Sequence, residues 1–323
     1  MTMTGLQIYT DERKQDAFVV VRKRFSDAAC RIVEKYLHNP MLSDGGAGDV
    51  AYENDRPVGF QAAIRRRLYL DRQPLWGMIG GMLCMLEGAS PVLLMNLLKA
   101  SIASRDGSTL FYANTSNQMS MKMNRMLGVK GKGPSTCERT RFAVTFVPWG
   151  LRWMCPRPHA RRIDEIDDAT FGRFWVSYLS SSHGLVSSRS PEELRWVFGD
   201  RLRSGEVVLL GEFRQGALVG YIVLKVNANG RRWSIIDWIA LDNDTSVLNS
   251  LLMSAVRFVR KETHAFCLES IGFPEWCENI LRRHLCFSRK AKNNTFIWKF
   301  LDGRREIAVE SWFFGPYDGD RCM

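Results

Sequence analysis

The sequence predicts a mixed α/β chain made of two tandem domains, and three observations carry that prediction. First, residues 49–64 (DVAYENDRPVGFQAAI) and 207–224 (VVLLGEFRQGALVGYIVL) share one pattern. Each is an apolar run, a short polar turn, then Val-Gly-aromatic opening a second apolar run. Second, the two glycines, Gly59 and Gly220, stand 161 positions apart in a chain of 323, so the repeating unit has the size of one domain. Third, the same succession of elements follows each glycine.

Behind Gly59 the pattern predicts a strand over Leu75–Met85, a helix over Pro91–Ala103, a short strand over Thr109–Asn114 and a helix closing at Leu127-Gly128-Val129. Behind Gly220 it predicts a strand over Trp233–Leu241, a helix over Ser246–Arg260, a short strand over Ala265–Glu269 and a helix closing at Leu285-Cys286-Phe287. The domains are placed at 1–150 and 151–323. The junction PWGLRWMCPRP (Pro148–Pro158) carries three prolines and no periodicity.

An apolar fraction of 46% is ample for two cores, and no low-complexity tract suggests disorder. The stretch Gln73–Leu98 carries one charge, Glu87, but Gly80-Gly81, Glu87-Gly88 and Pro91 divide it into strand-length and helix-length pieces. Neither piece has the ~20 apolar residues of a membrane span. The first residues, MTMTGLQIYTDERK, lack the pattern of a signal peptide. The eight cysteines show no CxxC pair and no metal-ligand spacing, so they read as core residues in a reducing, cytoplasmic compartment.

The net charge of +11 is uneven. Residues 1–150 hold 20 Lys and Arg against 13 Asp and Glu, and the remainder holds 25 against 21. Arg65-Arg66-Arg67 and Lys122–Lys132 are the densest basic stretches. This balance favours anionic partners or a solvated basic face.

The order hairpin, long strand, helix, strand, helix, with a closing Leu-Gly-hydrophobic, resembles the core of the GNAT acyltransferases. The segment FYANTSNQMSMKMNRMLGV (Phe111–Val129) is similar to that family's fifth strand, Asn-bearing loop and fourth helix. HAFCLESIGFPEWCENILRRHLCF (His264–Phe287) has the same outline, with Cys286 where glycine is usual. SRSPEELRWVFGD (Ser188–Asp200) and ESWFFGPYDGD near the chain end resemble tandem GNAT-like proteins of bacterial polysaccharide loci. The resemblance implies two GNAT-like domains, each a mostly antiparallel twisted sheet flanked by helices. It also implies acyl-CoA as co-substrate and transfer of the acyl group to an amine of a small molecule or amino sugar.

The chain departs from that family at its phosphate loop, where several glycines usually open a helix. The first half has Leu86-Glu87-Gly88-Ala89-Ser90-Pro91 and the second Leu241-Asp242-Asn243-Asp244-Thr245-Ser246. Ser90 is a good N-cap and Pro91 suits the first helical position, so Gly88, Ala89 and Ser90 could present N–H groups to a pyrophosphate. Asp242 and Asp244 would satisfy the second helix start themselves and repel phosphate. The first half is therefore the expected cofactor site, with Asn114, Asn117 and Ser120 where the family contacts the pantetheine arm. The family's sulfur-protonating tyrosine would fall near Asn124, and its second-half counterpart near Arg282; neither is a tyrosine.

Three residues are candidates for acid–base work. Asp237 interrupts the apolar run WSIIDWIAL, which implies a buried, paired or cleft-lining acid. Glu87 ends the corresponding first-half strand. His183 lies in the Ser/Gly-rich loop SSSHGLV. No residue pattern calls for a metal. Two further readings stay open: a Fem-like aminoacyltransferase using aminoacyl-tRNA, and a GNAT-derived scaffold that has lost catalysis. The oligomeric state is also open.

Overall fold

The computed structural model describes residues 4–37, 48–103, 110–115, 118–129, 140–144, 159–227, 229–263, 265, 267–270, 275–284, 287–290, 295–301, 313 and 317. They form two seven-stranded sheets flanked by helices. In the first the order is β1 (Gly5–Ile8), β2 (Gly48–Glu53), β3 (Arg56–Leu70), β4 (Gln73–Met85), β5 (Leu110–Thr115) and β14 (Thr295–Phe300). The second runs β7 (Arg161–Ile163), β9 (Val207–Arg214), β10 (Ala217–Val226), β11 (Arg232–Ala240), β12 (Cys267–Ser270), β6 (Thr140–Val144) and β13 (Phe287–Lys290). Only β4–β5 and β11–β12 pair in parallel between neighbours in these orders. The mixed α/β class and the mostly antiparallel sheets are as the sequence predicts.

The helices fall at matching places. α1 (Lys14–Arg24) and α2 (Asp27–Leu37) lie between β1 and β2, as α5 (Asp168–Ser181) and α6 (Pro191–Arg203) lie between β7 and β9. α3 (Pro91–Ile102) joins β4 to β5 and α7 (Thr245–Glu262) joins β11 to β12. α4 (Gln118–Met126) and α8 (Glu275–His284) follow. The Gln73–Leu98 stretch divides into β4 and α3. Among the described residues no helix is long and apolar enough to cross a membrane.

The two hairpins agree in backbone detail. Asn54-Asp55 and Gln215-Gly216 both turn with two positive φ angles, 51° and 63° against 50° and 81°, as a two-residue type I′ turn requires. Each hairpin then carries one extra residue. Ala51 pairs with Gly59 and Tyr52 with Pro57, which bulges Val58; Glu212 pairs with Gly220 and Phe213 with Leu218, which bulges Val219. The repeated glycine follows the bulge because a helix lies over it. A Cβ on Gly59 would stand 2.3 Å from Met85 Sδ and 3.0 Å from Leu97 of α3. One on Gly220 would stand 2.7 Å from Val247 of α7 and 2.9 Å from the Ile239 carbonyl oxygen.

The halves also lend each other strands. β6 inserts between β12 and β13, and β14 closes the open edge of β5. β8 (Leu185–Ser187), from between α5 and α6, pairs with Leu68–Leu70 of β3. One buried core accordingly contains α1 residues Phe18 and Val21 together with α7 residues Leu248 and Leu251. The junction expected at Pro148–Pro158 lies outside the described residues, as do Cys137, Cys155, Cys286 and Cys322. Cys30, Cys84, Cys267 and Cys277 are free and buried.

Gly220→Ala should cost about 1–3 kcal/mol, because the new methyl meets a backbone oxygen that cannot move aside. Gly59→Ala should cost less, since its first contact is the end of a flexible methionine. Chemical denaturation of the two variants checks the order.

Candidate functional site

β4 and β5 pair only at Gly77–Leu110, Met78–Phe111 and Ile79–Tyr112. β4 then continues to Met85 and β5 to Thr115, so the strands part and leave a fork. Within the fork β4 bulges: Phe60 pairs with Cys84 and Ala62 with Gly81, leaving Met82 and Leu83 against Gln61 alone. Met82 takes φ +51°, a left-handed conformation that L residues rarely adopt. Gly80, Met82, Leu83 and Met85 are half-buried, the last three packed against the neighbouring cores.

β4 leads into the start of α3. Leu86 N–H donates to the Val58 carbonyl at 2.7 Å and fixes the exit. Gly88 turns the chain at φ +83°, with nothing within 4 Å of a Cβ built there. Ser90 Oγ accepts from Val92 N–H at 3.3 Å and Pro91 follows at the first helical position. No acidic residue stands in the first turn of α3, so its positive end faces outward uncompensated. Glu87 is exposed at this mouth. Asn114 lies on β5 two residues beyond the last β4 pair, opposite Phe296 of β14. Ser120 lies in α4, Asn117 is outside the described residues, and Asn124 of α4 is buried.

In the second half the β11–β12 pairing runs to Ile235–Ser270, where β12 ends, and the helix start is closed. Asp244 Oδ1 accepts from Ser246 N–H at 2.8 Å and Val247 N–H at 3.3 Å. Arg214 donates to Asp244 Oδ2 and to Ser246 Oγ, both at 3.0 Å. The Ser246 side chain first, then these amides and Arg214, hold the Asp244 carboxyl below its ordinary value. α7 thus has its own anion.

Asp237 is fully buried, as its place in an apolar strand implies, and its oxygens are taken. Arg189 Nε lies 3.1 and 3.2 Å from the two oxygens, Arg189 Nη2 donates to Oδ1 at 3.0 Å, and the Tyr221 hydroxyl donates to Oδ2 at 2.7 Å. Burial first, then Asp237, pushes the Tyr221 hydroxyl well above its usual range. A second buried pair lies alongside. Arg66 Nε donates to Glu193 Oε1 at 2.8 Å and Arg66 Nη1 to the Tyr317 carbonyl at 2.8 Å. Burial raises the Glu193 carboxyl, with Arg66 opposing. The Tyr317 ring lies against both guanidiniums, 4.3 Å from Arg66 and 4.5 Å from Arg189, and its hydroxyl donates to the Ser188 carbonyl.

His183 is exposed beside the turn between β3 and β4, where Gly184 N–H donates to Asp71 Oδ1. Glu87 lies past the opposite end of β4. The three acid–base candidates therefore occupy three separate places: a hairpin tip, the α3 mouth and the buried cluster. The cluster's other members were not singled out from the sequence. Strand alternation offered a signal for Arg66: Arg65 and Arg67 share one face, where both stack on Trp76 at 4.3 and 5.2 Å, and Arg66 points the other way. In Leu194-Arg195-Trp196, Arg195 pairs with Asp168 and the Trp196 indole donates to the Lys35 carbonyl, so these residues serve packing. Among the described residues no cluster of His, Cys, Asp and Glu could hold a metal.

Removing one partner of a buried ion pair strands the other. Arg189→Met should therefore destabilise the protein by about 3–5 kcal/mol, and adding Asp237→Leu should restore most of that loss in denaturant titrations. Asp244→Ala should cost about 1 kcal/mol as a lost N-cap. Because the folded Asp244 carboxyl titrates low, that contribution is complete above about pH 4 and drains away as pH falls through the folded value. The stability gap between wild type and Asp244→Ala should close in acid.

No protein-family model matches the chain, and no curated protein matches it. Solved structures do. A GCN5-related N-acetyltransferase from Kribbella flavida aligns with TM-score 0.64 and 15% identity, over 93% of this chain and 72% of that one. Another from Anabaena variabilis gives TM-score 0.63 and 11% identity, covering 93% and 73%. A conserved protein of unknown function from Enterococcus faecalis, described as a probable N-acyltransferase, gives TM-score 0.66 and 13% identity over 93% and 73%. Two mostly antiparallel sheets flanked by helices are thus an architecture already seen in solved proteins: the chain has the fold of GCN5-related N-acetyltransferases.

Proposed function

We propose that this protein transfers an acyl group from acyl-CoA to an amine of a small molecule or amino sugar, in the cytoplasm. The observation that carries the reading is the contrast between the starts of α3 and α7. The α3 start carries no acid in its first turn and lies beyond the point where β4 and β5 part, whereas the α7 start is closed by Asp244. A pyrophosphate needs backbone N–H groups and a close approach. Gly88 and Ser90 are assigned the N–H contacts, while Ala89, whose N–H donates to the Leu86 carbonyl at 3.3 Å, contributes its small side chain to the approach. Asn114, Asn117 and Ser120 are assigned to the arm. Acyl-CoA supplies a thioester activated toward attack by nitrogen. β4 amides that have lost β5 as partner supply donors for the oxygen that gains charge.

The incoming ammonium must lose a proton. Asp237 is committed to Arg189 and Tyr221, and His183 is at the far hairpin. Glu87, exposed at the mouth, suits the attraction of a cationic amine. We assign the base to Asp49, a buried carboxylate on β2 that faces α3 beside the bulge, through its pairing with Gln61. The similarity of Ser188–Asp200 and of the chain end to proteins of polysaccharide loci supports an amino sugar as acceptor.

Calorimetry with acetyl-CoA tests the reading. One molecule should bind per chain, and Ser90→Asp should weaken binding at least tenfold, because it keeps the cap but sets a carboxylate where phosphate goes. No binding at high micromolar concentration would overturn the proposal in favour of a scaffold. With an amine acceptor in hand, Asp49→Asn should lower kcat about 10²–10⁴-fold while leaving acetyl-CoA affinity unchanged.

A further inference from the structure

The first fork holds a buried polar group that the described protein leaves unsatisfied. Gln61 of β3 stands opposite the β4 bulge, between the Phe60–Cys84 and Ala62–Gly81 pairs. It is 3% exposed, and its Oε1 makes no hydrogen bond. Leaving such an atom unpaired costs about 1–3 kcal/mol. Gly59 lies under Leu97 of α3, and Ala63 packs in one cluster with Ile102 of α3. Gln61, between them in the strand's alternation, therefore faces α3 as well.

The amide also reaches toward the fork. Its Nε2 lies 3.6 Å from the point where a Cβ on Gly80 would sit, and the Phe111 ring lies 2.7 Å from that point. Gly80 is the first β4 residue past the last β4–β5 pair, and it is half-buried while Met78 and Ile79 before it are buried. A Cβ on residue 80 would clash with the Phe111 ring, whereas its distance to the amide is ordinary contact, so glycine here lets the Phe111 ring and the Gln61 amide lie together over β4.

Strand length decides which part of a ligand arrives there. Met85 lies level with Gly59 and Gly80 level with Ala63 of β3, so the bulged strand rises about 13 Å between them. In an acyl-CoA about fourteen covalent bonds separate the phosphorus from the acyl carbon, the backbone of roughly five residues of extended chain. A phosphate held at Gly88–Ser90 brings the acyl carbonyl, rather than the middle of the arm, to the level of Gln61.

We propose that Gln61 is a catalytic residue of this fork, its carboxamide N–H donating to the acyl carbonyl oxygen. This rests on the acyl-CoA reading above. In the reaction the amine lone pair forms the C–N bond and the carbonyl π pair moves onto oxygen, where Gln61 stabilises it. That pair then re-forms C=O as the C–S bond breaks, the sulfur leaves with its electron pair, and the proton that the attacking nitrogen sheds passes to that sulfur, Asp49 having taken the first proton from the ammonium.

Isotope-edited infrared spectroscopy of bound [1-¹³C]acetyl-CoA tests this without any acceptor. In wild type the thioester carbonyl band should move to lower frequency than in solution. In Gln61→Met, which keeps the volume and removes the donor, it should return toward the solution position with acetyl-CoA affinity within about threefold of wild type. Slow hydrolysis of the bound thioester should fall about 10²-fold in the same variant. Gln61→Glu, isosteric but without the N–H, should behave like Gln61→Met and guards against a packing artefact. Binding with the same band position in wild type and both variants would overturn the role of Gln61. Failure of wild type to bind acetyl-CoA would instead overturn the acyl-CoA reading itself.

Discussion

Four buried charges hold the two halves of this protein in one frame. Arg66 belongs to the first sheet and Asp237 to the second, while Arg189 and Glu193 come from the segment around the start of α6. Tyr317, close to the chain end, lies against both guanidiniums and gives its own carbonyl to Arg66. Taking such charges out of water costs several kcal/mol each, and only good geometry offsets it. Here each guanidinium has a carboxylate, a backbone carbonyl and an aromatic face. The arrangement tolerates little sliding of one sheet on the other. β6 between β12 and β13, β14 on β5, and β8 on β3 tie the sheets together by backbone pairing in the same sense.

Within that frame two similar strand-to-helix junctions differ. Both follow a glycine-bearing hairpin, both stand beside a bulged strand, and both end at a helix start. The second spends its helix dipole on Asp244 and Arg214, and its strand acid on the central cluster. The first keeps Ser90 as a neutral cap, an exposed glycine before it, and a buried glutamine at the inner end. In the proposed reading the second junction serves chiefly as a brace and the first is the one that takes the chemistry.

How much of this could be read from sequence depended on range. β4, α3, β11 and α7 fall within two residues of the expected limits, because apolar runs, Ser90-Pro91 and the turn pairs are local signals. Asp237 was legible as a buried acid because it interrupts an apolar strand. Its partner Arg189, 48 positions away, was not, since nothing local marks which arginine turns inward. Arg65-Arg66-Arg67 reads as one basic stretch until strand alternation separates an internal arginine from two on the opposite face. The strand exchange was hidden for the same reason: β6 and β14 find their edges through long-range pairing. Gln61 sits inside Gly-Phe-Gln-Ala-Ala, where composition alone does not distinguish a tolerated polar residue from a placed one.

The most direct test of the central claim, that only the first helix start receives the anion, is a crystal structure grown with coenzyme A. The account predicts one molecule per chain, its pyrophosphate against the amides of Gly88 and Ser90 and its thiol directed toward Gly80. A pyrophosphate at the start of α7, or one molecule in each half, would contradict it.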